Sequence, residues 1–453
     1  MLPVAPSRAA EARIPLVGHR DLGHVAAYRS GKPVTAAQLL ADAMRVAQAL
    51  PERGSALNLA ADRYRFAVNL LATLLRGHPT LLPPAVTPNL VEAIREFAPD
   101  AYYVADDESV RIDLPRVEVP MDGGRAGDVS SVPAIEADRI AAVVFTSGST
   151  GEPQPHPKRW GSLVRNVLAE GERLAVGGPG HVILGTVPPQ HMFGLESTVL
   201  MPLATGAALT AERPYFAAQI DAAAAAHPPA RTMFTTPFHL QNWLDNGVSH
   251  RLECIVSATA PLTAGLAARA EAEACDKLLE IYGCTETGQL ATRRPTRESA
   301  WQPLADIRIH LRDDAAWAQG GHIEAPTRLA DLIELEPDGR AFHLAGRSAD
   351  VVNIAGKRNS LGGLTHQLLA IPGVRDGVFH MPEERDEGVT RLMAFVVAPG
   401  LDAATILEAL RARMDPVFLP RPIVLMDALP RRATGKLPRE ALVALERRTN
   451  GAP

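Results

Sequence analysis

The fold expected from this sequence is α/β: a large layered α/β N-terminal domain followed by a smaller α+β C-terminal domain. Three observations carry that expectation. The chain has 453 residues, more than a single hydrophobic core usually takes. Short apolar, β-branched stretches alternate with stretches of helical periodicity, the pattern of layered α/β units. A turn-like segment, Pro-Asp-Gly-Arg at 337–340, precedes a fresh strand and helix pattern of about a hundred residues, enough for a small domain.

The elements follow in order. Residues 35–50 repeat apolar positions at helical spacing, with Val34 and Thr35 as the start and Pro51 as the stop. Ala56–Ala60 is a short apolar stretch, Phe66–Leu75 a second helix, and Thr80–Val86 an apolar, proline-rich run. Residues 101–106 and 140–147 have the length and apolar content of buried strands, and Ala217–His227 the composition of a helix. Beyond a boundary expected near 346–353 come a strand (VVNIAG), a helix (GLTHQLLAI) and a strand (RLMAFVVA). The basic LPRRATGKLPRE stretch, punctuated by Gly and Pro, is expected to be an exposed loop.

A net charge of −5 speaks against attraction to nucleic acid or anionic membranes. No apolar run is long enough for a membrane helix, and the first residues lack the layout of a secretion signal. Cys254, Cys275 and Cys284 have neither metal-ligand spacing nor an even count, so a reducing cytoplasm is expected. Cys284 is read as a small packing residue.

Chemistry concentrates after the expected strand at 140–147. Thr146, Ser147, Gly148, Ser149, Thr150 and Gly151 follow one another, and small residues let backbone N–H groups approach a phosphate while hydroxyls add donors. This is not a Walker loop, because no Gly-Lys pair in the chain is followed by Ser or Thr. Nor is it a G-x-S-x-G nucleophile elbow.

The stretch resembles the phosphate-binding signature of the adenylate-forming superfamily: acyl-CoA synthetases, aryl acid ligases and peptide-synthetase adenylation domains. Further resemblances follow in that family's order. PPQHMFGLE (188–196) looks like its acyl-pocket segment, SATAPL (257–262) like its adenine-facing loop, and YGCTET (282–287) like its Y-G-x-T-E motif. LADLIELEPDGR (329–340) resembles the ribose-binding stretch, GRSADVVNIAGKR (346–358) the hinge, and LPRRATGKLPR (429–439) the terminal lysine loop.

The resemblance implies an ATP-dependent, AMP-forming acid–thiol ligase using Mg²⁺, with CoA or an acyl carrier protein as acceptor. It implies domains at 1–346 and 347–453, the second mobile about a hinge at Ala349 and Asp350. Lys436 would bridge carboxylate and phosphate, Glu286 hold Mg²⁺ and Thr285 donate to a phosphate. Asp331 would accept the ribose hydroxyls and Arg347 contact ribose or phosphate. Ser257, Ala258, Thr259, Tyr282 and Gly283 would face the purine, and His191, Phe193 and Gly194 would wall the acyl pocket.

Two departures stand out. The family's loop lysine is replaced by Gln154, the next cation being Lys158, and Ala349 stands where the hinge commonly has an acid. Lys158 either reaches round to the phosphates or leaves that role weakened. The QPHPK variant is similar to the ligases of bacterial aryl polyene and xanthomonadin pigment pathways, which implies a hydroxybenzoate-like acid.

Overall fold

The computed structural model describes residues 12–449, apart from 84–85, 121–128, 148–152, 228–230, 314, 348–350, 355–356, 383–390, 433–434 and 436. The first expected helix spans Ala36–Ala49, and the Thr35 side chain accepts from the Gln38 N–H, so the predicted start is a working N-cap. The second spans Arg63–Arg76, capped by Asp62 at one end and by left-handed Gly77 at the other. The expected strands are Ser55–Asn58, Thr80–Leu82, Ala101–Val104 and Ile140–Ser147. All are apolar enough to sit inside one layer.

These strands form a five-stranded sheet, parallel except for its edge strand Pro153–Arg159, which returns antiparallel to Ile140–Ser147. Prolines at 153, 155 and 157 all remove N–H groups from the same side of that strand, which an edge tolerates and a central strand does not. A second, nine-stranded sheet has a parallel centre of Cys275–Cys284, Leu252–Ser257, Arg231–Thr235, Val182–Gly185 and Ala208–Thr210. The helices Ala36–Ala49, Arg63–Arg76 and Trp160–Leu174 share one core cluster with the strands of both sheets.

The stretch from Ile307 to Arg347 departs from the simple layered expectation. It forms a three-stranded antiparallel sheet (Ile307–Arg312, Ala315–Gly320, Ile323–Arg328) and a two-stranded ribbon (Asp331–Leu335, Phe342–Arg347). Their core, which includes Trp301, Leu304 and Phe342, also packs Tyr282.

Residues beyond 350 have cores of their own. Leu364, Leu368, Phe379, Ala394, Ile406 and Phe418 make one, and Met393, Phe395, Leu429 and Leu445 another, around the sheet Asp376–His380, Met393–Val397 and Ile423–Leu425. The expected exposed loop at 429–439 is corrected in part. Leu429 is buried, and the Arg431 guanidinium holds the Asp376 carboxylate with two hydrogen bonds of 2.6 and 2.7 Å. A bidentate pair and an apolar anchor fix what composition alone presents as free coil.

Candidate active site

Parallel strands put their carboxyl ends on one edge, and in open α/β sheets that edge is where ligands bind. Here the edge gathers the motifs. Gly185, Thr235, Ser257 and Cys284 end four adjoining strands, and 188–196, 257–259 and 282–287 lie at or just beyond those ends. The five-stranded sheet delivers Ser147 at the end of its own strand. The two edges touch: the Gln190 amide donates to the Ala60 carbonyl at 2.8 Å.

Tyr282 and Asp331, 49 residues apart, meet directly, the phenol donating to the carboxylate at 2.7 Å. Trp301 and Phe342 hold the Tyr282 ring, each 5.7 Å away between centroids. Asp331 is also the register partner of Arg347, so the ribbon brings those two backbones together. After buried Ser257 the chain passes through Ala258 to Thr259, which adopts φ +78°. A threonine in the left-handed region is strained, and such strain collects at ligand clamps.

The Y-G-x-T-E motif is the tip of a hairpin. Cys284 pairs with Gly288 across Thr285, Glu286 and Thr287, and Gly288 at φ +75° supplies the left-handed residue that such three-residue loops require. A methyl group there would stand 2.5 Å from the Asn166 amide nitrogen and 2.7 Å from a Glu196 oxygen. Only glycine satisfies both conditions.

Glu286 is exposed at the tip. Part burial raises its carboxyl, but hydrogen bonds with its own backbone N–H and the Cys284 side chain, together with the charges of His156 and Lys158, outweigh this and hold it below the usual glutamate range. Burial pushes the Cys284 thiol up to about 11, and its sulfur lies 3.1 Å from the Thr287 hydroxyl, so it stays a protonated packing group. Among the described residues no three His, Cys, Asp or Glu side chains cluster as a metal site. A single exposed carboxylate is nonetheless compatible with Mg²⁺ that arrives on a nucleotide, since such an ion keeps most of its ligands as phosphate oxygens and water.

His191 and Phe193 are half-buried and Gly194 is buried. Phe193 packs edge-on to Phe234 with centroids 6.1 Å apart. A side chain at Gly194 would fall 1.9 Å from the Pro188 carbonyl oxygen. The chain continues as a π-helix, Leu195–Leu200, a form often found beside functional sites.

Gly148, Ser149, Thr150, Gly151, Ala349, Asp350 and Lys436 lie outside the described residues, as do the side chains of Thr146, Ser147 and Arg347. Gly435, the residue before Lys436 in sequence, is among the described residues. The buried Gly435 backbone sits against the large unit, where an added methyl would be 3.4 Å from the Thr236 hydroxyl and 3.7 Å from Phe238 Cβ. Thr236 follows one of the strand ends that make the edge.

Supporting residues were missed by the sequence reading. Arg63 is fully buried and donates to the carbonyls of Gly185, Val187, Thr210 and Glu212 and to the Thr198 hydroxyl, at 2.7–3.1 Å. It thereby ties together both ends of the segment 188–196. Burial lowers its pKa to about 10, so the cation persists. Glu170 and Glu196 are also fully buried, and burial pushes each up to about 8. Ser197 donates to Glu170 at 2.8 Å and receives the Gln289 amide at 2.9 Å, while Asn166 bonds Glu196. Nothing in the local sequence marks these residues, because burial is decided by distant elements.

A family model described as AMP-binding enzyme matches residues 17–320. The chain belongs to this family. A 4-coumarate–CoA ligase from Rhodobacter capsulatus is 33% identical over 288 residues, covering 62% of this chain and 70% of that protein. Two solved structures share the fold. MatB from Rhodopseudomonas palustris with ATP bound has a TM-score of 0.78 at 21% identity, over 94% of this chain and 96% of that one. The o-succinylbenzoate CoA synthetase from Bacillus subtilis, in complex with its acyl-adenylate, has a TM-score of 0.78 at 18% identity, over 92% and 95%. Membership makes this chain an AMP-forming acid–thiol ligase. Among its described residues no helix is long and apolar enough to cross a membrane.

Proposed function

We propose that the protein activates a hydroxybenzoate-like aryl acid as its acyl-adenylate and passes the acyl group to a phosphopantetheine thiol, of CoA or of an acyl carrier protein, in the cytoplasm. The observation that carries this reading is the convergence of the acyl segment, the strained Thr259 turn, the Tyr282–Asp331 pair and the Glu286 hairpin on one sheet edge.

Carboxylate attack on the α-phosphate brings two anions together, so the site must offset their repulsion and stabilise the charge that moves onto pyrophosphate. Backbone N–H groups of 146–151 and the Thr285 hydroxyl serve the phosphates, and the Lys436 ammonium bridges carboxylate and α-phosphate. The Asp331 carboxylate accepts the ribose hydroxyls, with Tyr282 fixing one of its oxygens. Glu286 would hold Mg²⁺, which would supply charge neutralisation at the phosphate oxygens. His191, Phe193 and Phe234 give the acid an aromatic-lined approach. After adenylation the domain 347–453 turns about residues near 349–350 and exposes the acyl-adenylate to the thiol.

The 33%-identical relative is named for 4-coumarate, an acid that carries an aromatic ring, which supports the aryl class. An amino-acid substrate is disfavoured. The one acid of the segment able to grip an α-amine is Glu196, and it is fully buried against Asn166. Pyrophosphate release screened over benzoates, cinnamates and medium-chain fatty acids tests the reading. Hydroxybenzoates or cinnamates are expected to lead, and a clear win for fatty acids would overturn the aryl assignment.

A further inference from the structure

The edge strand Pro153–Arg159 carries the family's missing lysine position, Gln154, and the cation next in line, Lys158. Side chains alternate along a strand, so Gln154, His156 and Lys158 share a face. The register pairs Gln154 with Thr146 but Lys158 with Ala142. Four residues of strand, about 13 Å, therefore separate Lys158 from the start of the phosphate loop.

Its ammonium is engaged elsewhere: it donates to the backbone carbonyl of Glu286 at 2.9 Å. A partly buried ammonium needs acceptors and nearby negative charge. Burial lowers its pKa, and the Glu286 and Glu324 carboxylates act against that. The hairpin tip is gripped a second time, one residue on, where His322 Nε2 lies 2.9 Å from the Thr287 carbonyl oxygen. Glu286 itself is exposed, so its direction depends on what holds the backbone of a three-residue turn.

We infer that Lys158 is a positioning residue, fixing the Glu286 turn from behind so that the Glu286 carboxylate faces the incoming metal–nucleotide. The lysine of this loop variant has moved from the phosphates to the residue that serves them. This inference rests on the adenylation reading of Glu286.

The test is a double-mutant cycle of Lys158→Met and Glu286→Gln, each variant checked by a circular-dichroism melt. Two readouts are taken: KM for MgATP in pyrophosphate release, and Mg²⁺-dependent displacement of a fluorescent ATP analogue without acid. Loss of one charge-assisted hydrogen bond should raise KM for MgATP and weaken nucleotide binding roughly tenfold in Lys158→Met. The KM for the acid and thioester formation from preformed acyl-adenylate should stay within about twofold, and Lys158→Arg should recover most of the loss. In the Glu286→Gln background Lys158→Met should add less than about twofold. A full tenfold loss in that background, or no change in MgATP binding on the wild-type background, overturns the inference. If Glu286→Gln alone changes nothing, the role of Glu286 fails instead. Should Lys158→Met not fold, Lys158→Gln, whose amide falls short of the carbonyl, runs the same cycle.

Discussion

The large unit buries a cation, two carboxyls, an asparagine and a glutamine: Arg63, Glu170, Glu196, Asn166 and Gln289. The last hundred residues bury mainly leucine, phenylalanine, alanine and valine in two apolar clusters. Among the described residues their buried polar side chains are Ser360, His380 and Glu446, the last two paired at 2.8 Å. Polar networks with fixed hydrogen-bond directions specify geometry, whereas apolar packing specifies mainly that a unit is folded. The large unit holds several side chains and a nucleotide at set angles. The small one, by the proposed mechanism, need only bring one lysine in and withdraw it.

That contrast can be broken most severely at Lys436. Lys436→Ala should lower acid-dependent ATP–pyrophosphate exchange by several orders of magnitude, roughly 10³-fold or more, yet retain thioester formation from preformed acyl-adenylate. Equal loss of both half-reactions would sink the alternation of the C-terminal domain.

Arg63→Met comes next. It strands four carbonyls and a hydroxyl inside the large unit, and removal of a buried hydrogen-bonded charge costs about 3–5 kcal/mol. Urea unfolding should show the loss, together with a raised KM for the acid in whatever fraction folds. A variant with wild-type stability would show that the acyl segment is held by packing alone.

The smallest effect is a matter of pH. Burial pushes Glu170 from the ordinary 4.5 to about 8, so the folded state favours the protonated acid. That contribution is fully present below pH 4.5 and is lost as the pH rises through 8. Glu170→Gln keeps a neutral side chain throughout. It should leave stability at pH 5 nearly unchanged and raise it at pH 8.5 by on the order of a few kcal/mol, read from urea midpoints. Parallel pH profiles for variant and wild type would refute the buried neutral acid.

Legibility in the sequence followed the range of the forces involved. The helix start at Thr35 and the strand at 140–147 rest on local rules of capping and apolar runs, whereas the hairpin that carries the 282–287 motif emerges only in the structure. The antiparallel sheets between Ile307 and Arg347 were not anticipated, because strands such as Ile323–Arg328 are largely exposed and lack an apolar alternation. Tyr282 and Asp331 were each named from their motifs, but their hydrogen bond depends on a ribbon folded back over 49 residues.

What the sequence determined by itself was the ordered set of chemical groups: hydroxyls and glycines at 146–151, Thr285 and Glu286 in the YGCTET motif, Asp331, and Lys436 in a basic stretch. It did so because each sits in a short motif, and the motifs follow one another in the order of the adenylate-forming family, so the resemblance, not any one residue's composition, implies their roles. The tertiary structure decided which charges are buried and which groups they serve. Arg63 became the clamp of the acyl segment and Lys158 a partner of the Glu286 backbone because strands distant in sequence end at one edge, where a long side chain reaches whatever acceptor lies within a few ångströms.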